Sequence, residues 1–140
     1  MSPSVICWRC KQLVVFTLKH ARDVYGDALP NEQEVLGHIA DMTIDTYALE
    51  STLLRTEKMV LARGEQNTGI AIDITRVYFS DAADRMQHWA KQILAALSDT
   101  CDCDSLFAEV EHLTRFTTFN TVAARRRIAD SVIKEGRYYL

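Results

Sequence analysis

The residues of this chain able to do chemistry are four cysteines, four histidines and a set of carboxylates. The cysteines stand in two pairs, Cys7-Trp8-Arg9-Cys10 and Cys101-Asp102-Cys103. Paired thiolates at short spacing can share one zinc ion in a four-sulfur site. The second pair has a single intervening residue, however, and no turn glycine of a zinc ribbon accompanies either pair. The competing reading is reduced cysteines near helix ends in a reducing compartment. Glu109 and His112 form Glu-x-x-His, which in di-iron bundles supplies two ligands one helical turn apart. That chemistry needs a second such motif and two further inward carboxylates. The sequence has no second motif, and Glu50 is the one plausible extra glutamate, so Glu109 and His112 read as a charged outer face.

His20, His38, His88 and His112 are scattered among charged neighbours. Asp84 with His88, and His38 with Asp41, lie within one helical turn and can pair, which reads as solvated surface contact rather than an acid–base dyad. No nucleophile elbow and no glycine-rich phosphate loop is present. Arg125, Arg126 and Arg127 make the one basic cluster. Three consecutive arginines fan around a helix and cannot form one groove-tracking stripe. Arg126 can pair with Asp130, and Asp130 with Lys134, while docking onto an acidic partner stays open. No catalytic, cofactor-binding or metal-binding residue is assigned.

The elements that would position these groups are helices. The 140 residues include five glycines and two prolines, Pro3 and Pro30, too few turn formers for a β-sandwich of this length. A first helix is expected from about Trp8 to Tyr25, with Leu13, Phe16, Val24 and Tyr25 apolar, broken at Gly26–Pro30. Asn31 followed by Glu34 has the layout of a capping box. From there Val35, Ile39, Met42, Thr46, Leu49, Leu53, Thr56 and Val60 recur at steps of four and three, one buried stripe of a long helix. Leu36, Ala40, Tyr47, Leu54 and Leu61 form a flanking line, and Asp41, Asp45 and Arg55 are expected on the wet side. This helix ends at Arg63-Gly64, a basic last turn followed by a C′ glycine.

A third helix is expected from Gly69 or Ile70 to Leu97. Its expected inner face is Ile70, Ile74, Val77, Tyr78, Ala82, Met86, Trp89, Ile93 and Leu97, with Asp81 and Arg85 pairing on the outside. Two helices of similar length and a short connection predict an antiparallel pair. Asp102 or Asp104 can cap a fourth helix carrying Leu106, Phe107, Val110 and Leu113. Phe116 to Asn120 is a connector. Thr121 can cap a fifth helix with Val122, Ala129, Val132 and Ile133 apolar, which stops at Gly136, and Arg137–Leu140 is a short aromatic tail. The fold class is therefore an all-α antiparallel bundle of about five helices, two of them long, read as a single domain over residues 1–140.

Composition narrows the function classes. The formal charge is −3, with no basic face of the kind a nucleic-acid binder carries. No apolar run approaches the roughly 20 residues that span a bilayer, and the start lacks a signal-peptide layout. These features read as a soluble, intracellular chain, cytoplasmic or, in a eukaryote, mitochondrial.

A family resemblance rests on particular stretches. Asn31–Leu36, Ile39–Met42, Ile44–Ser51 and Leu53–Lys58 are similar to a helix in the extension that follows the catalytic core of long acyl-CoA dehydrogenases, the very-long-chain enzymes and their bacterial relatives. Lys11–Val14 with Phe16, and Arg127–Asp130 with Gly136–Tyr138, also resemble that extension, and the likeness runs from about Lys11 to the C-terminus. It is strongest over 31–58 and weakest over 98–120. The resemblance implies an accessory helical domain that packs on the core and shapes the oligomer interface of an enzyme of fatty acid oxidation. It also implies that FAD, the acyl pocket and the catalytic glutamate belong to that core, so that the isolated chain binds no FAD and does not oxidise acyl-CoA. The implied partner is the catalytic core or a second copy of the chain as a homodimer. The alternative is a stand-alone helical adaptor that binds a partner protein through exposed apolar surface.

Overall fold

The structure, a computed structural model, describes residues 3–98, 103–115 and 119–137. Five helices follow one another: α1 (Pro3–Tyr25), α2 (Gln33–Arg63), α3 (Gly69–Ala96), α4 (Cys103–Thr114) and α5 (Thr121–Glu135). Short 3-10 turns at Gly26–Asn31 and Glu65–Asn67 join the first three. No strand occurs among the described residues. The architecture is the all-α bundle expected from the periodicity, with α2 and α3 as its two longest helices.

α2 and α3 form an antiparallel hairpin. Contacts run from Thr56–Thr75 near the turn to Thr46–Met86 and Asp45–Arg85 some ten residues further along, so that positions fall on α2 as they rise on α3. Gly64 ends α2 at φ +78°, a conformation in which an L side chain is strained, and its N–H donates to the Val60 carbonyl at 2.9 Å. α1 lies along α2, with Lys11 reaching Glu50, and its Tyr25 hydroxyl donates to the Ala96 carbonyl at the end of α3. α4 and α5 pack on α3, and α4 also touches α1.

The core sits where α1 to α4 meet. Leu13, Met42, Leu49, Met86, Ile93, Leu94, Leu97 and Val110 are its fully buried large apolar side chains. The α2 stripe is as the spacing predicts: Val35, Ile39, Met42, Thr46, Leu49, Leu53 and Thr56 are buried, and Val60 is half-buried. Buried threonines are tolerated because their hydroxyls bond back to the preceding turn, as Thr46 does to the Met42 carbonyl at 2.8 Å and Thr17 to Leu13 at 3.0 Å. Near the α2–α3 turn the core thins. There Thr56 and Thr75 share a 2.7 Å hydrogen bond, and Leu53, Val60, Leu61 and Ile72 line an open groove of about 390 Å³.

Several expectations change. α1 begins at Pro3, ahead of Trp8, and proline at a first helical position gives up only an N–H that has no helical partner there. Asn31 belongs to the 3-10 turn, and α2 starts at Gln33 with no side-chain cap, so the Asn31/Glu34 capping box does not form. Asn120, not Thr121, caps α5 by accepting from the Ala123 N–H at 3.0 Å. Of the expected α3 face, Ala82, Met86, Ile93 and Leu97 are buried, but the rest is shifted toward other residues. Ala71, Thr75, Phe79, Ala82, Ala83 and Ala90 are buried, while Ile70, Ile74, Val77, Tyr78 and Trp89 are half-buried. The expected fourth-helix face holds, with Val110 and Leu113 buried and Leu106 and Phe107 packed beside them. Asp102, the connector residues 116–118 and the tail residues 138–140 lie outside the described residues.

Leu49 and Val15 separate core from surface within this description. Leu49→Ala opens a cavity and is expected to destabilise the fold by about 2–5 kcal/mol, whereas Val15→Ala, at an exposed α1 position, changes stability by less than about 0.5 kcal/mol. Urea denaturation followed by far-UV circular dichroism measures both.

Candidate functional site

The polar groups drawn into the bundle converge on α3. Asp45 is 6% exposed, against the expectation of a wet position. It lies between Met42 and Leu49, on the side of α2 that meets α3, where Arg85 reaches it with both Nε (2.9 Å) and Nη2 (2.8 Å) and the Tyr78 hydroxyl donates at 3.1 Å. The fork geometry of guanidinium on carboxylate makes this a directional contact as well as a charged one. The arginine is held further in its charged form by Asp45, and burial raises the Tyr78 phenol, with the Asp45 hydrogen bond adding to it. Arg85 therefore pairs across the hairpin and not with Asp81 in its own helix.

Asp81 and Asp73 face the fifth helix. Arg125 grips Asp81 through Nη2 at 2.6 and 2.8 Å, and Arg127 forks onto the buried Asp73 at 2.7 and 2.8 Å. Arg76 stands over the Phe119 ring at 5.5 Å just before α5 begins. The basic cluster is thus a clamp holding α5 to α3, and the pairing expected within α5, Arg126 with Asp130 and Asp130 with Lys134, is not what engages it. Arg125 and Arg127 flank Ala124, the buried residue of α5. Beside this clamp lies an open cleft of about 470 Å³ lined by Arg63, Gln66, Gly69, Asp73, Arg76 and Arg127.

The metal and acid–base candidates are not gathered. Glu109 and His112 are exposed on α4, and Glu50 on α2 pairs with Lys11 at 2.6 Å. Among the described residues no group of three or more potential ligands comes together. Cys7 and Cys10 are buried on α1 as free thiols, Cys103 opens α4, and Cys101 lies outside the described residues. Burial pushes the Cys10 thiol up to about 12, helped by the neighbouring Cys7 and Asp45, and burial also raises Cys7. A raised thiol is a poor nucleophile and a poor metal ligand at neutral pH. His20 uses Nδ1 on the Phe16 carbonyl at 2.8 Å.

What the arrangement leaves to the outside is apolar. On α2, Tyr47 (73% exposed), Leu54 and Leu61 (88% exposed) stand out with Ile44, and Ala40 is exposed as well, so four members of the expected flanking line are uncovered, while Leu36 is half-buried. α4 and α5 do not fold back over this face; they pack on α3 and α1. On α5, Val122 and Ile133 (78% exposed) point away from the bundle on the same side as the exposed Arg126, and Val132 is exposed too, while Arg125 and Arg127 reach across to α3. Sequence reading missed Asp45, Asp73 and the two clamping arginines. The available signal was Asp45 inside the Met42–Leu49 stripe, where a carboxylate requires a partner.

Two measurements probe these contacts. Asp45→Asn keeps shape but loses the charge that Arg85 and Tyr78 share, and is expected to lower stability by about 1–3 kcal/mol in urea titrations. Cys10, with its folded value above the ordinary 9.0, favours folding fully below pH 9 and loses that contribution as pH climbs toward about 12. Cys10→Ala should flatten the fall in stability over that alkaline range, measured by denaturation at stepped pH.

Comparison with known proteins places this arrangement. Residues 9–112 match the family described as acyl-CoA dehydrogenase, C-terminal domain. A probable acyl-CoA dehydrogenase of Bacillus subtilis is 28% identical over 130 residues, 93% of this chain and 22% of that protein. A crystal structure of an acyl-CoA dehydrogenase complexed with FAD, from Bacillus anthracis, superimposes with a TM-score of 0.94 at 29% identity, covering 99% of this chain and 24% of the other. The chain therefore spans about a quarter of the length of these relatives. From residue-level match and shared architecture alike, the chain belongs to the acyl-CoA dehydrogenase C-terminal domain family.

Proposed function

We propose that this chain is the accessory helical domain of an FAD-dependent acyl-CoA dehydrogenase, packing on the catalytic core and shaping the oligomer interface while supplying no reacting group. The observation that carries the reading is the exposed apolar surface of α5. A helix that turns Arg125 and Arg127 onto α3 and leaves Val122, Val132 and Ile133 in solvent is built to be covered on its outer side. The relatives supply the candidate for the cover, since about three-quarters of their length lies outside the region this chain matches.

The residues of this chain do not fit a flavin site. Both buried carboxylates, Asp45 and Asp73, are held by arginines, and no buried side-chain nitrogen or oxygen among the described residues lacks a partner. In this reading FAD, the base that removes the Cα proton of an acyl-CoA and the hydride acceptor belong to the core. The part played here is mechanical: a rigid bundle fixes the outer wall of the core and the spacing between protomers.

A chimera tests this. The C-terminal segment of the Bacillus subtilis relative is replaced by this chain, and bound flavin and acyl-CoA-dependent dye reduction are measured. The chimera should retain both. Val132→Asp with Ile133→Asp should cut the yield of flavin-loaded, active enzyme by roughly tenfold, the scale expected when an interface anchor is lost. Equal flavin content and activity in the variant would remove α5 as the docking face. A folded chimera that loses flavin even with the unmodified chain would favour a stand-alone adaptor.

A further inference from the structure

α5 is joined to the bundle differently from the other helices. Of its fifteen residues Ala124 is buried, and Ile128 and Ser131, further along the same line, are half-buried. Among the described residues α3 is the helix it packs against, whereas the shorter α4 touches α1 as well and sinks Val110 and Leu113 into the core. Burying one alanine and the edges of two more side chains removes little apolar surface from water. A helix of this length is also marginal when it stands alone. Its two ends are finished locally. The Asn120 side chain accepts from the Ala123 N–H at 3.0 Å, and the Gly136 N–H donates to the Val132 carbonyl at 2.9 Å, with Gly136 left-handed at φ +65°. Neither cap depends on α3.

The contacts that hold α5 on α3 are charged. Arg127 forks onto Asp73, Arg125 grips Asp81, and Arg76 of α3 stands over the Phe119 ring ahead of the helix. The side chains of Arg125, Arg127 and Asp81 are about half exposed, while Asp73 is buried. Exposed pairs of this kind are weak and are screened by salt. The Asp73 pair is screened less while α5 is in place, but lifting the helix returns both of its members to water. Hydration then offsets much of the lost attraction. Asp45 has no such exit, because its partners Arg85 and Tyr78 belong to the hairpin that the short turn after Gly64 closes.

We infer that α5 is a charge-held latch, which lifts from α3 as a unit while α1 to α4 stay folded and opens further as ionic strength rises. The latch uses contacts within this chain alone, so it stands or falls apart from the accessory role proposed above. Where that role holds, a partner that covers Val122 and Ile133 as closed α5 presents them selects the closed form. The fraction closed then scales that partner's apparent affinity.

Hydrogen exchange followed by mass spectrometry on the 140-residue chain tests the latch, with peptides of α2 as internal reference. Corrected for intrinsic rates, α5 amides should exchange at least about thirtyfold faster than those of central α2, the mark of sub-global opening. Raising NaCl from about 0.05 M to about 1 M should speed α5 a further two- to fivefold and leave α2 unchanged. Asp81→Asn should act on α5 to about the same extent at low salt. Arg125→Asp should speed it as well, and the double exchange Asp81→Arg/Arg125→Asp should return it to within about twofold of the unmodified chain. Unchanged α2 exchange verifies that each variant folds, and the salt series needs no variant. α5 protected as strongly as α2 at both salt concentrations overturns the latch, and so does salt that speeds both helices equally. An α5 that opens without responding to salt, or a double exchange as fast as Arg125→Asp alone, overturns charge as what holds it.

Discussion

Everything in this bundle depends on α3 being surrounded. It touches each of the other four helices, so nearly its whole circumference must be compatible with close approach. That requirement explains its alanines: Ala71, Ala82, Ala83 and Ala90 are buried where neighbouring backbones press nearest. Others of its apolar residues, Ile70, Ile74, Val77 and Trp89, are half-buried, while Phe79, Met86, Ile93 and Leu94 enter the core. The other helices need bury only a stripe each, which frees their outer faces for other partners.

Charge is used on this central helix to fix alignment. Asp73 and Asp81 are two turns apart, and Arg127 and Arg125 engage them in reverse order, which sets both the direction and the axial position of α5. Asp45 with Arg85 and Tyr78 does the same for α2. Replacing such a pair by hydrocarbon can leave a fold as stable or more so, because desolvation offsets much of the Coulomb attraction. What hydrocarbon would lose is the directional fork. α5 illustrates the point, since Ala124 is its buried residue and apolar contact alone would let it slide.

How much of this was legible in the sequence follows from how many neighbours each helix has. α2 shows a single inner stripe from Val35 to Thr56 and was readable almost residue by residue. α3 was readable as a helix, and Ala82, Met86, Ile93 and Leu97 of its expected face are buried, but the rest of that face was not, because a search for large apolar residues overlooks alanines buried by contact on several sides. The charged contacts were illegible for a related reason. Asp81–Arg85 at one helical turn is what a linear reading offers, while the partners realised, Asp81–Arg125 and Arg85–Asp45, lie some forty residues apart. The family membership was legible over 31–58, since a long exposed helix keeps surface residues such as Tyr47 and Leu54 that a core alone would not specify. The absence of an assigned site was reached by finding no motif. The structure adds that the buried carboxylates are already used.

The turn at Gly64 has a consequence for the order of events when the chain folds. Only residues 64–68 separate α2 from α3, so the hairpin closes a short loop at small entropic expense and aligns the two longest helices before distant segments need be found. α1 docks from one end of the chain and α4 and α5 from the other. Each needs the hairpin as template: α1 for the Leu13 site, α5 for the two aspartates of α3. The hairpin is thus the helix pairing with the smallest loop-closure cost, and the outer helices dock on it. A nascent polypeptide bearing this region would hold an aligned α2–α3 pair before α5 had been synthesised. The Tyr47–Leu61 face would then be presented early, while the α5 face awaited completion of the chain.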